Sequence, residues 1–282
     1  MRTVWLNGDW LPESEAKVSV FDRGLTFAQS VYEVAPVVGG RIANWPYHAA
    51  RLANSLKTAL IVDDTDWLPV LEELVRRNGL DEGRVYLQVT AGSSGDRDFG
   101  LPDPQPRPTR IAYTQAAAML DDLRAQTGLR IVLRPDLRWQ LRSAKTTQLL
   151  YAVLMKAEAQ AAGVDDAWLV ENGVITEATS QNAHIIDARG VLVSHPVDQG
   201  VLPGATRICV LEIAREIGLA IEERAFTPEE LFAAREALVS AAGTLVLAVV
   251  EVDGRPIGDG RPGPLTSELR TRYIARLRES RS

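Results

Sequence analysis

The sequence predicts a mixed α/β fold in two domains, and three observations carry that prediction. Runs with helical apolar spacing alternate along the chain with short runs of strand type. Asn-Gly or Asp-Gly pairs close several of the short runs as hairpins, at Asn7-Gly8, Asn172-Gly173 and Asp253-Gly254. The chain has 282 residues, enough for one large or two modest domains with a buried core.

Residues 3–12 read as the first hairpin, with Val4-Trp5-Leu6 and Trp10-Leu11 on either side of Asn7-Gly8-Asp9. Residues 17–21 alternate as a strand that ends at Asp22-Arg23-Gly24, and a short helix follows. A strand over 30–38 turns at Gly39-Gly40 into a partner over 41–44. Ala49, Leu52, Leu56 and Leu60 then give a helix over 45–62, and a second helix over 67–77 closes at Asn78-Gly79. Strands over 84–90 and 109–114 enclose the glycine-rich, polar stretch 91–102, too long and irregular for an ordinary connector. The domain boundary falls at 118/119, giving a smaller first domain over 1–118 and a larger second over 119–282.

The second half begins with a strand over 129–133. Leu149, Leu150, Val153, Leu154, Ala157 and Ala161 then mark a helix over 148–162. Strands over 167–171, 174–176, 183–187 and 191–194 follow, then a helix over 206–217 and a strand over 219–223. Strands over 237–240 and 246–250 flank Ala241-Ala242-Gly243-Thr244, and a helix over 264–278 ends the chain.

Composition narrows the function. Hydrophobic residues at 46% and charged residues at 24% suit a globular protein, and the net charge of −6 argues against a nucleic-acid partner. The single cysteine, Cys209, excludes a disulfide framework and sits in an apolar helical pattern that reads as core. The arginine-rich end over 270–281 reads as the solvated face of the last helix. Without an apolar leader or a stretch approaching a membrane span, the expectation is a cytoplasmic protein with no membrane partner.

His48, His184 and His195 are the only histidines. No zinc, calcium, nucleotide-loop or nucleophile-elbow motif occurs, so a metal enzyme is not expected. An organic cofactor anchored on lysine gains weight. Lys145 lies just before a helix and Glu177 just after a hairpin, each among Thr and Ser. A lysine can form a Schiff base with an aldehyde cofactor, and a glutamate can hold a cationic ring nitrogen. Gly200-Val201-Leu202-Pro203-Gly204-Ala205-Thr206-Arg207 would open a helix with small residues, leaving the N–H groups of Ala205 and Thr206 and the Thr hydroxyl for a phosphate. Each has a plainer reading: surface Lys and Glu side chains, and a capped helix start.

Taken together in order, the motifs resemble the fold-type IV pyridoxal phosphate enzymes, the class IV aminotransferases, and among them the D-amino acid aminotransferases. The matching pieces are Val18-Ser19-Val20-Phe21-Asp22-Arg23-Gly24, Val31-Tyr32-Glu33-Val34, Arg51-Leu52 and Lys145. They continue through Val174-Ile175-Thr176-Glu177-Ala178-Thr179-Ser180, Leu202–Arg207 and Val250-Glu251-Val252-Asp253-Gly254. The resemblance implies a transaminase that moves the amino group of a D-amino acid to a 2-oxo acid such as 2-oxoglutarate or pyruvate. Lys145 would form the Schiff base with pyridoxal 5'-phosphate and then shuttle the proton, and Glu177 would bond the ring nitrogen. Arg51, Thr206 and the N–H of Ala205 would hold the phosphate, and Leu202 would pack on the ring. Ser180, Gln181 and Asn182 would lie near the phosphate or ring hydroxyl. A serine/threonine-rich turn of the family is replaced here by Ser240-Ala241-Ala242-Gly243-Thr244, so backbone donors, Gly243 among them, would take that part.

On the substrate side, Tyr32 matches a carboxylate-binding tyrosine of the family. The family's Arg-x-His loop reads Gly95-Asp96-Arg97-Asp98-Phe99 here, without the histidine, which leaves Arg97 or Arg142 as the carboxylate ligand. The resemblance also implies a homodimer, with the site between the domains near the dimer interface and loop 91–102 as a lid or a contributor from the partner subunit. A branched-chain L-amino acid aminotransferase, an (R)-amine transaminase and an aminodeoxychorismate lyase share the scaffold and remain alternatives.

Overall fold

Side-chain alternation organises the first unit, which comprises Met1–Ala118, Ala144–Gln148 and residues 278–279 in a computed structural model that describes residues 1–198 and 200–279. Its antiparallel sheet contains β1 (Thr3–Leu6), β2 (Asp9–Pro12), β3 (Ser30–Val38), β4 (Arg41–Ile42), β5 (Glu82–Thr90) and β6 (Arg110–Ala116), in the order β2-β1-β6-β5-β3-β4. Its helices are α1 (Arg23–Phe27), α2 (Trp45–Thr58) and α3 (Trp67–Asn78). One face of the sheet carries Val31, Ala35, Val85, Leu87, Val89 and Ala112, which pack with Leu52 of α2 and Trp67, Leu71 and Leu74 of α3. Successive residues of a strand point to opposite faces, so Tyr32, Tyr86, Gln88 and Tyr113 lie on the other face and are half-buried. Gly79 takes a φ of 57° at the end of α3, the left-handed cap that its sequence position predicts.

Residues 17–21 are not a strand. Val18 and Val20 are 46% and 69% exposed, and the isolated bridge nearby, Asp22 to Ser93, lies just beyond the segment. The Asp22 carboxylate explains the ending: it accepts from the Gly24 N–H at 2.7 Å, Thr90 Oγ1 at 2.9 Å and Thr109 Oγ1 at 2.6 Å, and so starts α1.

The second unit, Met119–Ser143 and Leu149–Leu277, holds α4 (Arg124–Thr127), β7 (Leu129–Pro135), α5 (Leu150–Ala161), β8 (Asp166–Glu171), β9 (Val174–Ala178), β10 (Asn182–Ile186) and β11 (Leu192–Ser194). It continues with α6 (Ala205–Glu216), β12 (Ile221–Glu223), α7 (Pro228–Ala233), β13 (Glu236–Ala241), β14 (Leu245–Val252), β15 (Arg255–Pro256) and α8 (Pro264–Glu279). The strands form one sheet in the order β12-β11-β10-β13-β14-β7-β8-β9, with β15 paired to β14. The β14–β7, β7–β8 and β11–β12 pairs are parallel and the rest antiparallel. Trp168, Ile175, Ile185, Val239, Leu247 and Phe226 are central to its largest core.

Three features of this unit depart from the sequence reading. The helix α7 is unforeseen, although Thr227 and Glu230 make the reciprocal capping box that a Thr-x-x-Glu spacing encodes. The apolar stripe of α5 points outward: Leu150, Val153 and Leu154 are 72%, 61% and 50% exposed, while Ala152, Met155 and Ala159 face the sheet. Arg270 is not solvated, for its guanidinium donates to the carbonyls of Met119, Leu120 and Val246 inside the unit. The expectation for Arg281 lies outside the described residues.

Candidate active site

The residues predicted to act fall into two groups, one in each unit. In the first, Lys145 belongs to the segment Ala144–Gln148, which packs against β3 although the sequence reading placed it in the second domain. The Tyr32 N–H donates to the Lys145 carbonyl at 3.1 Å, the Thr147 N–H donates to the Ser30 carbonyl at 3.1 Å, and Val31 bridges Thr146. From the α2 side, Ser55 Oγ accepts the Lys145 N–H at 2.9 Å. The backbone on both sides of the lysine is thereby fixed. Its amine lies 4.2 Å from the centre of the Tyr32 ring, and among the described residues it makes no ion pair.

Arg51 and Tyr32 flank a buried carboxylate that the sequence reading passed over. Glu33, on the core face of β3 and 1% exposed, accepts from Arg51 Nε and Nη2 at 2.7 Å each. The His48 Nδ1–Glu33 Oε2 distance is 2.8 Å. Burial works to raise the Glu33 pKa, but the charge and hydrogen bonds of Arg51, with those of His48, outweigh it and hold the pKa at about 2. Burial depresses the His48 value, and the cations Arg51 and Lys145 depress it further against the pull of Glu33. His48, Arg51 and Ser55 recur at helical spacing, so one face of α2 holds both Glu33 and the lysine backbone. The findable signal was an acidic residue at an inward position of an alternating strand.

Tyr32 stacks on Tyr86 with ring centres 5.6 Å apart, and Tyr86 on Tyr113 at 4.7 Å. Arg97 lies in the exposed loop, its guanidinium 4.8 Å from the Phe27 ring and 4.8 Å from the Phe99 ring. Among the described residues it forms no ion pair with Asp96 or Asp98, so its charge is presented rather than spent.

In the second unit, Glu177 is buried on β9. Its Oε1 accepts from Arg138 Nη1 at 2.6 Å, and its Oε2 accepts from the Leu202 N–H at 3.1 Å and Asn182 Nδ2 at 3.2 Å. Asn182 Nδ2 also donates to the Leu202 carbonyl at 2.9 Å. Glu177, Asn182 and Leu202 are therefore one cluster. Gly204 is needed beside it, because a Cβ there would meet Asn182 Oδ1 at 2.0 Å. Gly204 is also the N-cap of α6 and supplies no side-chain cap, which leaves the N–H groups of Ala205 and Thr206 at the helix start. The Thr206 hydroxyl lies 3.2 Å from the Tyr273 hydroxyl of α8.

Ser180 is exposed in the turn after β9. Gln181, buried beside it, donates to Thr244 Oγ1 at 2.8 Å, which ties that turn to the half-buried turn carrying Gly243. Ser240 is drawn away from the turn, its Oγ 2.9 Å from Nε2 of the buried His184. Arg142 is drawn inward too. It donates to both oxygens of Glu171 at 3.0 and 2.8 Å, to the Gly200 carbonyl at 3.1 Å and to the Trp139 carbonyl at 3.0 Å. Its side chain is 2% exposed and engaged inside the second unit, whereas Arg97 is exposed.

The donor set suits a phosphorylated aldehyde with a basic ring nitrogen. In the second unit, a buried carboxylate with both oxygens held in place and an uncapped helix start suit a ring nitrogen and a phosphate, and in the first unit, Lys145 presents an amine that makes no ion pair among the described residues. Buried polar atoms beside these groups also have no protein partner: His48 Nε2, Thr147 Oγ1 and Gln181 Oε1.

Residues 30–252 match the family described as amino-transferase class IV. A D-alanine aminotransferase of Bacillus licheniformis is 35% identical over 274 residues, covering 95% of this chain and 94% of that protein. One of Staphylococcus haemolyticus is 31% identical over 286 residues, covering 100% of both. Among solved structures, a T.th. branched-chain amino acid aminotransferase with pyridoxamine 5'-phosphate is 26% identical, with a TM-score of 0.87 and coverage of 99% of this chain and 95% of that one.

Proposed function

The chain belongs to the class IV amino-transferase family, and from that premise we propose that it is a pyridoxal 5'-phosphate-dependent transaminase that moves the amino group of a D-amino acid to 2-oxoglutarate or pyruvate. The D-alanine aminotransferases that match along almost the whole chain support the substrate class. The cofactor is supported by the pyridoxamine 5'-phosphate complex of the structural relative and by the Glu177–Asn182–Leu202 cluster beside the open start of α6. That cluster is the observation that carries the reading.

When bound, the cofactor supplies an aldehyde that takes up amines and a ring that accepts electrons from the bond broken at the donor Cα. Lys145 would anchor the aldehyde carbon, and its amine, when free, would hold and move the proton at the donor Cα. Glu177 would hold the proton on the ring nitrogen. The N–H groups of Ala205 and Thr206 would bind the phosphate, Arg51 would be a further phosphate ligand, and Leu202 would pack on the ring. Ser180 and the backbone at Gly243 lie in the two turns joined by Gln181 and Thr244, which suits them to the same anion. Tyr32, beside the Lys145 amine, and Arg97 bind the substrate carboxylate.

The reading includes a homodimer, for which the outward apolar stripe of α5 supplies a face, and a cytoplasmic location. A first domain over 1–118 and a second over 119–282 remain its division of labour, with the lysine segment joined to the first unit. The structural likeness to a branched-chain enzyme favours one second reading, an L-amino acid transaminase on the same cofactor site.

A half-reaction tests both. Purified protein loaded with the cofactor is mixed separately with D-alanine, D-glutamate, L-leucine and (R)-1-phenylethylamine, and the visible band is followed. Bleaching by D-amino acids alone supports the first reading, and bleaching by L-leucine selects the second. Bleaching by the amine assigns the chain to amine donors. Lys145→Ala is expected to bind the cofactor without the visible band and to lose turnover by at least about 10³-fold. A variant that turned over at the wild-type rate would sink the mechanism.

A further inference from the structure

Behind Glu177 runs a chain of charges that alternates in sign: Glu171, Arg142, Asp136, Arg138 and Glu177. Arg138 is bidentate on Asp136, with Nε to Oδ1 at 2.9 Å and Nη2 to Oδ2 at 2.7 Å, and its remaining nitrogen reaches Glu177 Oε1 at 2.6 Å. Asp136 Oδ2 also accepts from Thr176 Oγ1 at 2.7 Å and lies 3.2 Å from Arg142 Nη1. Arg142 completes the series on Glu171 at 2.8 Å. The side chains of Asp136, Arg142, Glu177 and Arg138 are 0%, 2%, 6% and 13% exposed, and only Glu171, at 31%, meets solvent substantially.

In so dry a setting, adjacent charges feel one another strongly and solvent screens them little. Burial disfavours a charged Asp136, yet the hydrogen bonds and charge of Arg138, the Thr176 hydroxyl and Arg142 keep it below the usual carboxylate range. Burial likewise disfavours charged Arg138, and Asp136 and Glu177 together override it and raise its value. Arg138 is thus shared between two carboxylates, and what one takes the other loses.

We propose that Asp136 is a positioning residue for the transamination: it competes with Glu177 for Arg138 and thereby sets how firmly Glu177 holds the proton on the cofactor ring nitrogen. Arg142 and Thr176 set the strength of that competition from the far side of Asp136. The inference rests on the cofactor reading above and gives Arg142 a part in the site other than carboxylate capture. The titratable and charged groups around Asp136 in the second unit are Arg138, Arg142, Glu171, Glu177 and Tyr151. The Tyr151 hydroxyl donates to the Pro135 carbonyl, and burial followed by the charge of Asp136 raises its pKa.

Two substitutions are expected to act in opposite directions. Asp136→Asn frees Arg138 to draw on Glu177 alone, which leaves Glu177 a weaker acceptor for the ring N–H. Thr176→Val takes a donor from Asp136 and leaves every charge in place, so Asp136 draws harder on Arg138 and Glu177 becomes a stronger acceptor. The readouts are the pH at which the visible band of the bound cofactor changes and the Kd for pyridoxal 5'-phosphate added to apoprotein.

Asp136→Asn is expected to move the transition down by about half a unit or more and to raise Kd about tenfold, and Thr176→Val to move the transition up. Tm of each apoprotein reports folding separately, and Thr176→Val keeps the test open if Asp136→Asn does not fold. Shifts of the same sign, or no shift in a folded Thr176→Val protein, overturn the proposal. A wild-type protein that gains no visible band with the cofactor overturns the underlying reading instead.

Discussion

Glu33 shows how much one buried side chain can organise. The first unit commits this carboxylate to Arg51 and His48, and the pairing holds its pKa at about 2 against an ordinary 4.5. In the unfolded chain the carboxyl titrates near its ordinary value. The stabilisation is therefore complete above pH 4.5 and is lost as pH falls towards 2, an amount of about 3 kcal/mol. Glu33→Gln is expected to cost about 3–5 kcal/mol at neutral pH, because Arg51 is left buried beside a neutral partner. Urea unfolding at a series of pH values measures both effects. The variant should lose the acid limb that the wild type shows in that window, and an unchanged limb would remove Glu33 as its source.

At the scale of the element, the start of α6 depends on space as much as on hydrogen bonding. Gly204 has a φ of −69°, which any residue can adopt, so its requirement comes from Asn182 Oδ1, 2.0 Å from a built Cβ. Gly204→Ala is expected to push Asn182 away from Glu177 and Leu202 and to weaken cofactor binding about tenfold, the worth of one charge-assisted hydrogen bond. Titration of apoprotein with pyridoxal 5'-phosphate measures it, and an unchanged Kd would show that Asn182 is dispensable.

The helix α5 makes a complementary point. Its period was legible, since Leu150, Val153 and Leu154 share a face, but its direction was not. Periodicity says which residues stand together and is silent on whether the chain itself covers them. If a second copy covers them, Val153→Glu with Leu154→Glu should leave the helix intact and halve the mass in sedimentation. A dimer that survived both substitutions would place the interface elsewhere.

Across the whole molecule, local chemistry was the readable part. The hairpin at Asn7-Gly8 and the left-handed cap at Gly79 carry their structural reason in adjacent residues, and the sequence analysis found them. Glu33, Ser55 and Arg138 acquire meaning only from partners distant in the chain: Arg51, the Lys145 backbone and Glu177. No spacing rule ties such pairs together. The same limit explains the two arginines proposed for the substrate. Their residue type suited a carboxylate, but only packing revealed that Arg142 is enclosed by Glu171 and Asp136 while Arg97 rests against Phe27 of α1 and Phe99 of the exposed loop.

The placement of Ala144–Gln148 in the first unit bears on how the protein is made. Synthesis proceeds from the N-terminus, and early domains commonly fold while later ones are still emerging. Here residues 1–118 leave the ribosome without the segment that bridges Val31 and accepts the Tyr32 N–H. The nascent first unit must wait, with that side of β3 uncovered, until translation has passed Gln148. Truncation at residue 118 should accordingly yield an incomplete body rather than a free-standing domain, since the lysine segment, and later the stretch at Arg278, arrive only after it.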